Sequence, residues 1–275
     1  MSGSTLVSTA ELEKSLPRWR VFDCRHDLAR PELGGQQYKQ GHIPGALFAS
    51  LERDLSGRKT GSNGRHPLPD PQDFEKWLET TGLTPQDPAV CYDAGPGAMA
   101  ARLWWMLRWI GHDNVAVLDG GFAKWVKESR PVTLDVPRFT PLNYPIRPRP
   151  DFAADVRAVE KTRSLLVDAR APARYRGEQE PIDPVAGRIP GAKNRFSMDN
   201  VSADGTFKSA AALKDDFQKV LQGREPGDVI HYCGSGVAAC HNLLAMEHAG
   251  LKGGKLYAGS WSEWSADPKR PQEKG

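Results

Sequence analysis

The chain has 275 residues, of which 39% are hydrophobic and 26% charged, a composition typical of globular proteins. Its 37 lysine and arginine residues are nearly balanced by 34 aspartate and glutamate residues, so the formal net charge is only +3. Because the positive residues are scattered and form no basic stripe, this composition argues against nucleic-acid binding and leaves small anionic substrates open.

Neither the N-terminus nor the most apolar run predicts a targeting or membrane segment. Residues 1–8 lack the basic and apolar regions of a secretory signal. The run Ala98–Ile110 is interrupted by Arg102 and Arg108 and is too short to span a bilayer. Four cysteines are too few for a disulfide scaffold in a chain of this size. We therefore expect a cytoplasmic protein without membrane contact.

Short apolar runs and helical patterns alternate along the first part of the chain. The predicted elements are a strand at 19–25, a long surface loop at 54–71, a helix at 71–81, a strand at 89–93, a helix at about 98–110 and a strand at 114–121. Such alternation is typical of an α/β fold with a mostly parallel sheet that is flanked by helices on both faces.

A proline-rich segment separates this part from the rest. Six prolines fall between positions 131 and 150, and proline at this density is incompatible with a helix or a central strand. The sequence therefore predicts one domain at 1–130, an extended linker at 131–150 and a second domain at 151–275.

The second domain repeats the first. Four blocks recur in the same order at an offset of 139 to 146 residues: Val21–Arg25 with Leu165–Arg170, Gly41–Ala46 with Gly187–Ala192, Val90–Asp93 with Ile230–Cys233, and Leu118–Trp125 with Tyr257–Trp264. Four ordered blocks at a nearly constant offset indicate a duplicated domain.

Cys233 is the candidate nucleophile. It ends a predicted strand, and the small residues Gly234–Gly236 allow a tight turn with inward N–H groups before a helix at about 239–249. Such a turn stabilises a thiolate. The first copy keeps the turn but has Asp93 at the equivalent position, so it is predicted to be catalytically silent. The spacing of Cys233 and Cys240 is not typical of structural zinc sites, and we expect no metal.

These motifs resemble those of the two-domain rhodanese-like sulfurtransferases, in order and spacing, over roughly residues 6–264. The resemblance implies tandem rhodanese-like domains and an enzyme that needs no cofactor. A Cys233 persulfide would carry sulfur from a small anionic donor to a thiol, to cyanide or to a thioredoxin-like reductant. The donor and the persulfide would be held at the turn by Gly234, Gly236, Val237 and Ala238.

The resemblance also bears on the donor. Thiosulfate-preferring relatives carry basic residues after the cysteine, whereas Gly234 and Ser235 are neutral and resemble the 3-mercaptopyruvate type. That type implies a relay of Ser235, His66 and an acid, for which Glu52 and Asp54 are both candidates. It also implies that Arg174 binds the donor's carboxylate.

Four positions depart from the mercaptopyruvate pattern. Ile182 stands where a second arginine follows a Glu-Pro pair, and Ala238 replaces a threonine. Arginine is unusual in the family at positions 188 and 195. Either Arg188 or Arg195 could replace the charge of the arginine that is missing at position 182. A thiosulfate-preferring enzyme therefore remains the alternative.

Two other classes of protein are less compatible with the sequence. Cysteine phosphatases need an arginine six residues after the cysteine, and Ala239 stands there. A non-catalytic partner-binding module would not need a cysteine in an intact turn, and a non-catalytic sulfur carrier is a further, less favoured alternative.

Overall fold

The computed structural model describes residues 5–275, so the first four residues of the N-terminal segment considered above lie outside the described residues. The chain forms two compact units. The first unit contains residues up to Gly57, Pro69–Arg149 and Ala203–Phe207, and the second contains Arg58–Leu68, Pro150–Ser202 and Lys208–Gly275. The segment Arg58–Leu68 thus belongs to the second unit although it precedes the proline-rich segment in sequence.

The first unit is built on a five-stranded sheet. Its strands are β1 (Leu6–Val7), β2 (Arg20–Asp23), β3 (Leu47–Phe48), β4 (Ala89–Tyr92) and β5 (Val115–Leu118). All neighbours are parallel, in the order β1-β5-β4-β2-β3. The residues of β4 and β5 are buried throughout, as expected of central strands that are covered on both faces.

The second unit repeats this arrangement with four strands. They are β6 (Leu165–Asp168), β7 (Lys193–Asn194), β8 (Val229–Tyr232) and β9 (Lys255–Leu256), all parallel in the order β7-β6-β8-β9. An isolated parallel bridge from Ala153 to Leu256 extends the sheet beside β9. The predicted duplication and the predicted fold class are therefore confirmed.

Helices flank both sheets. In the first unit they are α1 (Thr9–Lys14), α2 (Leu33–Gln40), α3 (Pro71–Glu79), α4 (Ala98–Trp109) and α5 (Gly121–Lys127). In the second unit they are α6 (Val156–Glu160), α7 (Pro172–Tyr175), α8 (Ala210–Leu221), α9 (Ala238–His248) and α10 (Ser260–Trp264). Among residues 5–275, no helix has the length and apolar character that a membrane crossing requires.

The repeated Asp-x-Arg motif makes the same contacts in each unit. In Asp23–Arg25 and in Asp168–Arg170, the arginine lies 2.6 Å from the carboxylate of the aspartate, and all four side chains are buried. The arginine also donates to the carbonyl of Gly41 in the first unit, at 2.7 Å, and of Gly187 in the second, at 2.6 Å. The motif therefore fixes the Gly-x-Ile-Pro-Gly-Ala block against its sheet.

The proline-rich segment is extended and packs on the first unit. Residues 131–149 contain no helix, as the proline content predicts, and a short 3-10 helix begins at Pro150. The N–H of Arg147 donates to Ile110 and that of Arg149 to Trp109, both at 2.8 Å. Tyr144 is buried, and its hydroxyl lies 2.7 Å from Nδ1 of His112.

His231 on β8 is fully buried. Its Nε2 lies 3.0 Å from the sulfur of Met246, and its ring packs edge-on against Phe217. No hydrogen-bond partner for its Nδ1 is found among the described residues. Burial lowers the pKa of His231 to about 3, so the imidazole is neutral in the folded protein.

We expect this histidine to destabilise the fold as the pH falls. The unfolded chain takes up the proton first, so the stability is fully present above about pH 6.5 and is lost towards pH 3 at about 1.4 kcal/mol per pH unit. In urea denaturation, the free energy of unfolding of His231→Leu should rise relative to that of the wild type by about 1.4 kcal/mol for each pH unit below 6.5. Phe217→Leu removes a neighbour of His231 that does not titrate, so its free energy of unfolding should change with pH as that of the wild type does. Parallel stability curves for His231→Leu and the wild type would contradict the prediction.

Candidate active site

Cys233 directly follows β8 and begins the turn that leads into α9. Its side chain is 3% exposed, and its Sγ accepts the N–H of Gly236 at 3.1 Å. Gly236 has a φ of +77°, and a Cβ there would lie 2.5 Å from the carbonyl oxygen of Ala258. Only glycine allows so close an approach. The turn therefore directs a backbone donor at the sulfur, an arrangement that stabilises negative charge there.

The start of α10, at Gly259–Ser262, holds the backbone of Cys233. The Oγ of Ser260 accepts the N–H of Cys233 at 3.1 Å, and the N–H of Trp261 donates to the carbonyl of Cys233 at 3.0 Å. Ser260 is fully buried and has a φ of +55°, a conformation that is unfavourable for residues other than glycine. Its contacts with Cys233 explain why the conformation is kept.

Ser235 and His66, the two predicted relay residues, are in hydrogen-bond contact. The Oγ of Ser235 lies 2.8 Å from Nδ1 of His66, and the residues are 5% and 3% exposed. His66 reaches this position on the segment Arg58–Leu68, which belongs to the second unit. The N–H of Arg65 anchors the segment by donating to the Oγ of Ser262 at 3.1 Å.

The two acids considered for the relay lie in the first unit. The carboxylate of Asp54 accepts the N–H of Ser50 and pairs with the guanidinium of Arg53, each at 2.8 Å. Glu52 lies two residues earlier in the chain. That either Glu52 or Asp54 completes the relay stays a prediction.

Arg174 in α7 faces the turn. Two of its guanidinium nitrogens lie 3.5 Å from the position that a Cβ on Gly234 would occupy. Glu180 holds this guanidinium at 2.6 Å and Asp183 at 3.3 Å, and both carboxylates are almost fully buried. The arginine that the resemblance selects therefore lies at the Cys233 turn.

Arg65 brings a second guanidinium to the same place, although sequence reasoning did not select it. Its Nη2 lies 2.7 Å from the Cβ position of Gly234, and its Nη1 pairs with Asp183. Burial lowers the pKa of Arg65, the charge of the Cys233 thiolate opposes this shift, and the charge of Arg174 adds to it. The only sequence signal was its position next to His66.

Arg188 and Arg195, considered as replacements for the missing charge, have other partners. Arg188 pairs with Glu273 and lies 4.4 Å from the centre of the Tyr175 ring. Arg195 pairs with Asp216 at 3.3 Å. These contacts explain both arginines as structural charges within the second unit.

In the first unit, a carboxylate closes the equivalent turn. One oxygen of Asp93 accepts the N–H groups of Gly95 and Gly97, both at 3.0 Å. The other accepts those of Met99 and Ala100, at 2.8 and 3.2 Å. The N–H groups that could hold an anion are thus occupied by the chain's own carboxylate, and the turn offers no sulfur atom.

Comparisons with known proteins match both copies. The model of the rhodanese-like domain family matches residues 8–128 and 154–267. A Pseudomonas aeruginosa protein named "Probable 3-mercaptopyruvate sulfurtransferase" is 44% identical over an alignment that covers 100% of both chains. The thiosulfate sulfurtransferase of Mus musculus is 34% identical, with 94% of this chain and 91% of its own covered.

The solved structures agree with these relatives. The structure of the 3-mercaptopyruvate sulfurtransferase from Leishmania major is similar with a TM-score of 0.87 and 30% identity. That match covers 96% of this chain and 75% of the Leishmania chain. With two matched copies and a cysteine turn in the second, the chain belongs to the family of two-domain rhodanese-like sulfurtransferases.

Proposed function

We propose that the protein transfers sulfur from 3-mercaptopyruvate, through a persulfide on Cys233, to a thiol or to cyanide. The observation that carries this proposal is the Cys233 turn, where a backbone N–H meets the sulfur and Ser235 lies 2.8 Å from His66. The neutral residues after Cys233 and the position of Arg174 favour a carboxylate donor. The name of the Pseudomonas relative supports the same donor.

In the first half-reaction, the Cys233 thiolate attacks the sulfur of the donor. A new S–S bond forms as the C–S bond breaks, and the electron pair of that bond leaves with the carbon fragment as the enolate of pyruvate. The enolate then takes up a proton. The N–H of Gly236 stabilises negative charge on the sulfur atoms, and one such donor is typically worth about 3 kcal/mol.

In the second half-reaction, an acceptor attacks the outer sulfur and releases the Cys233 thiolate. Splitting the transfer into two steps is ordinary covalent catalysis. A thioredoxin-like reductant is the acceptor that we propose beside small thiols. We place the reaction in the cytoplasm, which is consistent with the free thiols of all four cysteines.

Ser235 and His66 handle the proton in this scheme. The donor's thiol proton must leave, and a proton must reach the enolate carbon. The contact of 2.8 Å lets the hydroxyl and the imidazole exchange a proton, and the burial of both limits access of water. Arg174 binds the donor's carboxylate through its Nη1, because Glu180 and Asp183 already accept from its Nε and Nη2.

The test is kcat/KM for 3-mercaptopyruvate and for thiosulfate, in the wild type and in Arg174→Ala. We expect the wild type to prefer 3-mercaptopyruvate. Arg174→Ala should lose roughly 10- to 100-fold for this donor, because hydrogen bonds to charged groups contribute about 1.5–3 kcal/mol.

Arg176→Ala is the matched control, because Arg176 lies two residues away and pairs with Glu178 on the surface. It should keep wild-type values for both donors. A clear preference of the wild type for thiosulfate would contradict the choice of donor and favour the alternative.

A further inference from the structure

Arg65 places a second guanidinium, beside that of Arg174, at the Cys233 turn. Ile182 occupies the position at which the family pattern has an arginine, and it is 45% exposed. The Nη2 of Arg65 lies 2.7 Å from the Cβ position of Gly234, where the nitrogens of Arg174 lie 3.5 Å away. We propose that Arg65 and Arg174 together bind the donor's carboxylate, with Arg65 in the role of the missing arginine. This inference rests on the function proposed above.

Asp183 holds both guanidiniums in place. Its Oδ1 pairs with Nη1 of Arg65, and its Oδ2 lies 3.3 Å from Nη2 of Arg174. The aspartate side chain is 3% exposed, and its N–H donates to Glu180 at 3.0 Å, so its own position is fixed. Because Arg65 uses Nη1 for Asp183, its Nη2 is directed at the turn.

The surroundings of the Arg65 and Arg174 guanidiniums favour the binding of a small anion. The side chains of Arg65 and Arg174 are 28% and 17% exposed, so a small molecule in solution can reach them. The two like charges meet at one turn, and partial burial strengthens their interaction with any anion that binds there. Asp183 and Glu180 already offset part of the repulsion between the two guanidiniums, and the nitrogens that these carboxylates do not occupy, Nη2 of Arg65 and Nη1 of Arg174, can donate to a further carboxylate.

The contacts of this arginine arise from tertiary structure. Residues 65 and 183 are 118 positions apart in sequence, and the fold joins them within the second unit. The backbone N–H of Arg65 is anchored at Ser262, and the N–H of Ser262 donates to the carbonyl of Gly234 at 3.0 Å. The arginine is therefore tied to the turn through its backbone as well as its side chain.

The experiment compares 3-mercaptopyruvate with mercaptoacetone, in which a methyl group replaces the carboxylate. Persulfide formation on Cys233 is followed by mass spectrometry in single turnovers. Arg65→Ala should slow the reaction with 3-mercaptopyruvate by roughly 10- to 100-fold more than the reaction with mercaptoacetone, because the loss of its interaction with the Cys233 charge affects both donors alike. Arg65→Lys should fall between, because it keeps the charge but loses the fork. Arg58→Ala, an exposed arginine on the same segment, should match the wild type.

Binding of pyruvate provides a second measurement that needs no chemistry. In the Cys233→Ala background, calorimetry should show the pyruvate dissociation constant rising by a similar factor when Arg65 is replaced by alanine. Circular dichroism confirms that each variant is folded.

The outcomes separate this inference from the proposed function. Equal slowing with both donors would overturn the inference, because Arg65 would then act on the thiolate. Wild-type rates in Arg65→Ala, or an unchanged dissociation constant for pyruvate, would overturn it as well. If the wild type forms no persulfide with 3-mercaptopyruvate, the proposed function is wrong, and pyruvate binding still decides whether Arg65 holds a carboxylate.

Discussion

Replacing Cys233 with serine is expected to abolish sulfur transfer without unfolding the protein. A serine oxygen is close in size and can still accept the N–H of Gly236, so the turn keeps its shape. The hydroxyl stays protonated at neutral pH and cannot form a persulfide. After incubation with donor, the wild-type mass should rise by one sulfur atom located at Cys233, and the Cys233→Ser mass should not change.

The other buried cysteines allow a control that tests whether the effect is specific to Cys233. Burial raises the pKa of the Cys24 thiol well above its usual range, and the neighbouring Cys91 adds to the shift. A protonated, buried thiol is a poor nucleophile. Cys24→Ala is therefore the control that should retain full transfer. Transfer by Cys233→Ser would remove the central role of this cysteine, and a wild type that gains no sulfur would favour a partner-binding module.

Replacing Asp93 with alanine should destabilise the first unit by about 3 kcal/mol, because four N–H groups lose their acceptor. The N–H groups of Gly97 and Ala100 belong to buried residues, so water replaces the carboxylate poorly there. The loss should appear as faster hydrogen exchange of the amides in α4. Sulfur transfer should persist where the variant stays folded.

Cys233→Ala is the matched variant in the second unit. The sulfur of Cys233 accepts the N–H of Gly236 at 3.1 Å, so its removal should cost about 1 kcal/mol. Asp93→Asn should lie between the two, because it keeps one acceptor oxygen. Equal losses for Asp93→Ala and Cys233→Ala would show that the carboxylate does not organise its turn.

Much of the fold could be predicted because its signals are local. The strand expected at 19–25 is β2 at Arg20–Asp23, and the helix expected from position 71 is α3, which begins at Pro71. Apolar runs, proline and capping residues within a few positions account for both. The offset between copies needed no knowledge of packing, and Asp93 served as an internal comparison for Cys233.

Part of the candidate site could not be predicted from these signals. The chain order placed His66 in the first copy, whereas its segment belongs to the second unit. The sequence also offered Arg188 and Arg195 as substitutes for a missing charge, and the structure pairs both with other carboxylates. No periodicity or motif reports which guanidinium a distant aspartate will hold.

The sequence by itself determined the duplication, the parallel sheets and the position of Cys233 at a strand end, because these depend on patterns within short windows or on comparison of the two copies. Only the tertiary structure decided that Arg65 joins Arg174 at the turn and that the segment that carries His66 belongs to the second unit. The physical reason is that the position of Arg65 depends on Asp183 and on Ser262 in α10, which lie more than a hundred residues away and reach it only in the folded chain.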